Sequence, residues 1–303
     1  MPSKESQVMT DLFAHVAKYI ALVPGDLGQY RLVLEELHTV TPEPTDVTYE
    51  DVPCPGTVLP AIWCKPIGAS TKHIILYFHG GAFAAGSPAS HRKVVGHLAK
   101  MTGCQALILD YRRAPEHWFP SQIDDAIAAF RWLRDVKGFA CENIVTAGDS
   151  AGGNLSITTA LRLKAAGEKT QAAIVGFSPW LDMKMRGSSY KDNATTDVLV
   201  NPEAITGVRA MYVGDASLDD PLIDLFVADY KGLPPMYLAT GACEIVASDV
   251  EEVGKRAREA GVEVHEELAE GQQHLYFFMV GRAPEANNTM ASVSKFLKEK
   301  LGL

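Results

Sequence analysis

Apolar positions along the chain form two alternating kinds of segment. Near the start, Val8, Leu12, Phe13, Val16 and Ile20 recur at helical spacing. Pro24-Gly25-Asp26 breaks that helix, and residues 27–37 repeat the pattern until Thr41-Pro42 ends it. From residue 46 the period changes, and 47–49 and 58–63 read as a hairpin-like pair of strands. Apolar runs follow at 73–78, 105–109, 144–147, 172–177, 235–239 and 262–268. Their continuous hydrophobicity is that of parallel strands covered on both faces. Helical patterns lie between them, at about 89–102, 120–136, 152–166, 249–260 and 284–300. This alternation predicts the α/β class, with an eight-stranded, mostly parallel sheet and helices on both faces.

One stretch departs from the alternation. Residues 187–230 hold a helical segment at 202–213 between two polar, loop-like pieces, too long for a simple connection. With residues 1–40 it is expected to form a cap over the carboxyl edge of the sheet, where open α/β sheets bind ligands. No repeat or low-complexity linker divides the chain, so 1–303 is read as one domain.

Composition narrows the class of function. A chain of 303 residues, 47% hydrophobic, can bury a large core without disulfides or a structural metal. A formal net charge of −9 leaves no basic surplus for nucleic acid. The cysteines (Cys54, Cys64, Cys104, Cys141 and Cys243) show neither C-x-x-C nor metal-ligand spacing. The N-terminal residues lack the apolar core of a secretory signal, and no apolar stretch approaches the ~20 residues that span a bilayer. A cytoplasmic protein without membrane insertion is the expectation.

The densest chemical signal is G-x-S-x-G at Gly148, Ser150 and Gly152, directly after one apolar run and before a helical stretch. A strand turning sharply into a helix lifts the Ser150 hydroxyl clear of the sheet, and bulky residues two positions away would clash. The helix N-terminus and the Ala151 amide then face developing negative charge. Upstream, H-G-G-A-F at 79–83 follows the strand at 73–78. Gly80, Gly81 and Ala82, with Ala151, are the candidate oxyanion donors. His79 is expected to be a buried histidine bonded to backbone.

H-G-G-A-F at 79–83, D-Y-R-R-A-P-E-H at 110–117 and G-D-S-A-G-G-N at 148–154 together resemble the bacterial hormone-sensitive-lipase family of esterases. The likeness covers nearly the whole chain. It implies a capped α/β-hydrolase fold, cleavage of short- to medium-chain carboxylic esters, no cofactor or metal, and a homodimer. One departure is visible. The family loop is commonly H-G-G-G, and Ala82 occupies its last position, where alanine keeps the N–H but disfavours positive φ.

In this fold the triad runs in the order serine, acid, histidine. Only His265 and His274 follow Ser150. His265 alternates with apolar neighbours in a strand and reads as a sheet-surface residue. His274 lies in a loop just beyond, resembling the family's histidine loop, and is the expected general base. The acid should follow the strand at 235–239, with Glu244, Asp249 and Glu251 as candidates. Glu244 is placed to reach the imidazole, whereas Asp249 reads as a helix N-cap. E-I-V-A-S-D at 244–249 resembles the family's acid turn in a glutamate version.

Other residues have structural or subsidiary readings. Asp110, Arg112 and Glu116 are expected to pair and fix their loop, and Asp149 to support the turn at Ser150. Phe13, Met183, Met211 and Tyr212 are candidates for an acyl pocket. The same machinery would also open a lactone or cleave an aryl formamide or carbamate. A non-catalytic receptor on the same scaffold, as in the gibberellin receptors, would lack the histidine that stands here as His274.

Overall fold

The computed structural model describes residues 1–23, 25–55, 57 and 59–303. Two sequence expectations touch Pro24 and Val58, which lie outside the described residues. The strands are β1 (Val47–Val52), β2 (Ala61–Pro66), β3 (Ser70–Phe78), β4 (Cys104–Leu109), β5 (Ile144–Asp149), β6 (Ala173–Phe177), β7 (Met236–Gly241) and β8 (Val264–Ala269). The helices are α1 (Lys4–Leu22), α2 (Leu27–Glu35), α3 (Pro88–Thr102), α4 (Ser121–Asp135), α5 (Ala151–Ala165), α6 (Ser189–Asp192), α7 (Pro202–Val213), α8 (Ala247–Glu259) and α9 (Pro284–Leu301).

All eight strands join one sheet in the order β1-β2-β4-β3-β5-β6-β7-β8. β1 and β2 pair antiparallel, as does β2 with β4, and every other pairing is parallel. Alternation along β3 shows why the sheet is covered twice. Ile75 and Tyr77 pack toward Val94, Leu98, Val293 and Leu297 of α3 and α9. Ile74, Leu76 and Phe78 pack toward Ile123, Phe130, Leu155 and Leu163 of α4 and α5. A third cluster joins Ile174, Met236 and Leu238 to Val250 and Val253 of α8.

Local signals set the helix starts. Ser3, Asp26 and Asn201 cap α1, α2 and α7 through their side chains, and Ser87 with Ser90 forms a capping box on α3. Within 187–230, α7 borders the site described below. Ile223 and Leu225 are buried in the body of the molecule, and Leu225 packs with β6, β7 and α8. Among the described residues, no helix is long and apolar enough to cross a membrane.

Candidate active site

Ser150 occupies the single residue between β5 and α5, with φ 50° and ψ −116°. That conformation disfavours any side chain, and its neighbours hold it there. The Ser150 amide donates to the Phe177 carbonyl at 2.9 Å, and the Trp180 amide donates to the Ser150 carbonyl at 3.0 Å. The flanking glycines are required by close approach. A Cβ on Gly152 would lie 1.9 Å from the Phe78 carbonyl oxygen, and one on Gly148 would lie 2.3 Å from that of Gly152.

The loop after β3 is wound equally tightly. Gly81 has φ 110°, and a Cβ there would lie 2.2 Å from the Ala85 carbonyl oxygen. Ala82 and Phe83 adopt φ 55° and 61°, each at a cost of roughly 1–2 kcal/mol for a residue with a side chain. The Ala84 and Ala85 amides bond back to the Gly81 carbonyl at 3.0 and 2.8 Å, and Phe83 stacks on Tyr212 at 3.7 Å. These contacts hold the strained turn.

The amides of Gly81, Ala82 and Ala151 meet no acceptor among the described residues. Gly80 differs from the sequence expectation. Its N–H points inward, to His91 Nε2 at 3.3 Å, and so leaves the set of candidate oxyanion donors. His79 is buried, with Nδ1 2.8 Å from the Gly80 carbonyl and its ring stacked on Tyr111. Burial, reinforced by His91 nearby, pushes its pKa well below the usual histidine value.

Glu244 and His274 meet across two turns. Ala242 N–H bonds to Ala269 O at 2.9 Å and Cys243 N–H to Gln272 O at 3.0 Å, tying the turn after β7 to the loop after β8. Gly241 permits this, because a Cβ there would lie 2.3 Å from the Gln272 carbonyl oxygen. Glu244 Oε2 then lies 2.8 Å from His274 Nδ1, with both side chains buried. Glu244 Oε1 accepts from Ser178 Oγ at 2.7 Å and from the Gly241 amide. For His274, burial pulls the pKa down, but the charge and hydrogen bond of Glu244, with Asp197 and Asp149 behind them, raise it on balance.

Several supporting residues carried no motif signal. Asp197 Oδ2 accepts from the Ile245 amide at 3.0 Å, and Asn193 donates to the Ala242 and Glu244 carbonyls at 2.9 and 2.7 Å. Gln273 bonds the Val198 amide and the Thr196 carbonyl. Residues 193–198 thus brace both the acid turn and the histidine loop. The one sequence clue was polar residues in a segment otherwise hard to place.

Asp249 is not the expected N-cap. It lies inside α8, buried, where Oδ2 accepts from the Leu181 and Asp182 amides at 2.9 Å and from Tyr190 Oη at 2.9 Å. It anchors the chain beyond β6, and among the described residues it makes no hydrogen bond to His274. The charged cluster also rearranges. Arg112 pairs with Asp125, Arg113 approaches Asp110, and Glu116 binds Arg31 of α2. His265 is on the sheet surface as expected, paired with Glu263. Asp149 is buried under the loop and accepts from Tyr77 Oη at 2.8 Å.

A cavity of about 500 Å³ contains both Ser150 and His274 in its wall, together with residues of α1, α2 and α7. Of the four acyl-pocket candidates, Met211 borders it. Phe13, Met183 and Tyr212 do not: Phe13 is packed into the α3/α9 side of the core, and Met183 and Tyr212 into the α4/α5 side. Helical spacing could not separate a core-facing side chain from a cavity-facing one. Tyr30, Ile205, Val208 and Leu275 take their places.

A doubly wound sheet with a strained serine at a strand–helix turn and a Gly-rich loop beside it defines an α/β-hydrolase. The model of a family described by its alpha/beta hydrolase fold matches residues 75–278. The chain is 33% identical over 229 residues to an esterase of Acinetobacter venetianus, covering 75% of each. It is 31% identical over 242 residues to an acetyl-hydrolase of Streptomyces hygroscopicus, covering 80% of each. The crystal structure of an esterase from the bacterial hormone-sensitive lipase family superposes with a TM-score of 0.92 at 33% identity, over 100% of both chains. The chain belongs to the hormone-sensitive-lipase family of α/β-hydrolases.

Proposed function

We propose that the protein is a serine carboxylesterase in which Ser150 is the nucleophile, His274 the general base and Glu244 the residue that orients it. The observation that carries this reading is the buried 2.8 Å contact between Glu244 Oε2 and His274 Nδ1, on an imidazole that shares a cavity wall with Ser150. With Nδ1–H held by the carboxylate, Nε2 keeps its lone pair for the serine proton.

Ser150 Oγ attacks the ester carbonyl carbon while His274 Nε2 takes its proton. The carbonyl oxygen becomes an oxyanion held by the amides of Gly81, Ala82 and Ala151. As the tetrahedral adduct collapses, His274 returns the proton to the leaving alcohol and an acyl-Ser150 remains. Water, deprotonated by His274, attacks the acyl carbon, and as that adduct collapses His274 returns the proton to Ser150 Oγ, releasing the carboxylic acid and free Ser150. No step calls for a metal or cofactor. Relatives named esterase and acetyl-hydrolase support the reaction class.

Residues 1–40 and 187–230 act as the cap in this reading. Their apolar wall, including Tyr30, Ile205, Val208 and Met211, suits short- to medium-chain acyl esters, and a cavity of about 500 Å³ is enough for them. A p-nitrophenyl ester series from acetate to decanoate tests both parts. Turnover that peaks at short or medium chains is the expected result, and no turnover on any member would sink the proposal.

A further inference from the structure

Under the Gly-rich loop lies a buried polar cluster that the triad does not use. His91, near the start of α3, is buried together with Asp149, Tyr77 and His79. Its ring plane is fixed by edge contact with Phe278 at 5.2 Å and by His79 at 5.6 Å. Nδ1 lies 2.9 Å from Ser90 Oγ and 3.2 Å from the Ser87 carbonyl oxygen. Nε2 faces two groups at 3.3 Å, the Gly80 amide and the Asp149 carboxylate.

A neutral imidazole Nε2 carries either a proton or a lone pair. With the lone pair it accepts from Gly80 N–H, and Nδ1–H donates to the Ser87 carbonyl. With the proton it donates to Asp149, and Ser90 Oγ–H donates to Nδ1. In both tautomers the ring sits between the peptide that opens the Gly-rich loop and the residue just before Ser150. Contact there is tight: a Cβ on Gly80 would lie 2.2 Å from Asp149 Oδ2. Asp149 is held from the other side by Tyr77 Oη.

We propose that His91 is a positioning residue for ester hydrolysis. Through Nε2 it sets the Gly80 peptide, and with it the Gly81 and Ala82 amides, in register with Asp149 and the Ser150 turn. The proposal rests on those two amides being oxyanion donors. Such donors act only when held within about 0.5 Å of their working position. The two loops come from different strands, β3 and β5, and a buried hydrogen-bonded ring between them resists relative sliding in a low-dielectric interior.

Two substitutions separate the nitrogens. An asparagine at 91 reaches only the Nδ1 position beside Ser87 and Ser90, whereas a glutamine reaches the Nε2 position beside Gly80 and Asp149. His91→Phe keeps the ring volume against Phe278 and removes both nitrogens. The measurements are kcat and KM on p-nitrophenyl butyrate, inhibition by a trifluoromethyl ketone that forms an oxyanion adduct with the serine, and melting temperature. His91→Asn and His91→Phe should lose kcat and ketone affinity together by roughly 10- to 100-fold at nearly constant KM, while His91→Gln stays within about tenfold of the wild type. Equal losses in Asn and Gln, or a melting shift with kcat and ketone affinity unchanged, overturn the proposal. Ser150→Ala, assayed beside them, tests the triad separately: its turnover, if retained, contradicts the triad and not the His91 contact.

Discussion

Glu244 Oε2 lies 2.8 Å from His274 Nδ1 although the residues are 30 positions apart on turns that follow different strands. Backbone bonds between those turns, and the brace from residues 193–198, hold the pair together. A carboxylate here keeps the proton on Nδ1. A glutamine would present either an N–H that favours the opposite tautomer or a carbonyl without charge. Glu244→Gln is therefore expected to lower kcat by roughly 10⁴-fold on p-nitrophenyl butyrate. Asp249→Asn should leave kcat near the wild-type value. A larger loss in the second variant would reassign the acid.

In the proposed mechanism His274 must be neutral to take the serine proton. Glu244, Asp197 and Asp149 raise its pKa against the effect of burial, so the acid limb of kcat/KM should have its midpoint above the ordinary histidine value. Activity is lost as pH falls through that raised value. Removing one of the charges behind Glu244, with Asp197→Asn, should move the midpoint down. A pH–rate profile of both proteins checks this, and a midpoint that moves up contradicts the electrostatic account.

Asp249 controls stability instead of turnover. Burial, only partly offset by the amides of Asp182 and Leu181 and by Tyr190, lifts its carboxyl from 3.8 to about 7. The folded state binds this proton more tightly than the unfolded state. The stabilisation is thus complete below the unfolded pKa and disappears as pH rises through about 7. Asp249→Asn stays neutral throughout, and its carbonyl oxygen can still accept from the Leu181 and Asp182 amides. The wild type should lose a few kcal/mol relative to the variant between about pH 4 and 7. Parallel melting curves for the two proteins would refute this assignment.

The Gly-rich loop offers a contrast between neighbouring positions. Ala82 already tolerates φ 55°, so Ala82→Gly removes strain while keeping the N–H, and offsets it with added unfolded-state freedom. Melting temperature and kcat should both stay close to the wild type. Gly81→Ala places a Cβ 2.2 Å from the Ala85 carbonyl oxygen. Relief of that clash must move the Gly81 and Ala82 amides, and kcat should fall by roughly 100-fold. Equal behaviour of the two variants would contradict the loop's proposed role.

Much of this architecture was legible because its causes are local. Strand runs and helix periods placed the eight strands to within a few residues at most ends, and the glycines flanking Ser150 announce a turn that no larger residue fits. Contacts made by chain segments far apart in sequence were not legible. Asp249 looks like an N-cap by its spacing, yet it accepts from residues that precede it by 59 to 68 positions. Phe13 and Tyr212 share helical spacing with cavity-lining neighbours but face the core. Gly80 belongs to the loop motif, and only the placement of His91 shows where its N–H goes.

The central claim is that an acyl group is carried on Ser150. The direct measurement is turnover of p-nitrophenyl butyrate by Ser150→Ala, with its fold checked by melting temperature. Loss of kcat by a factor on the order of 10⁶ is the predicted result. Turnover at the wild-type rate in a folded Ser150→Ala protein would contradict it.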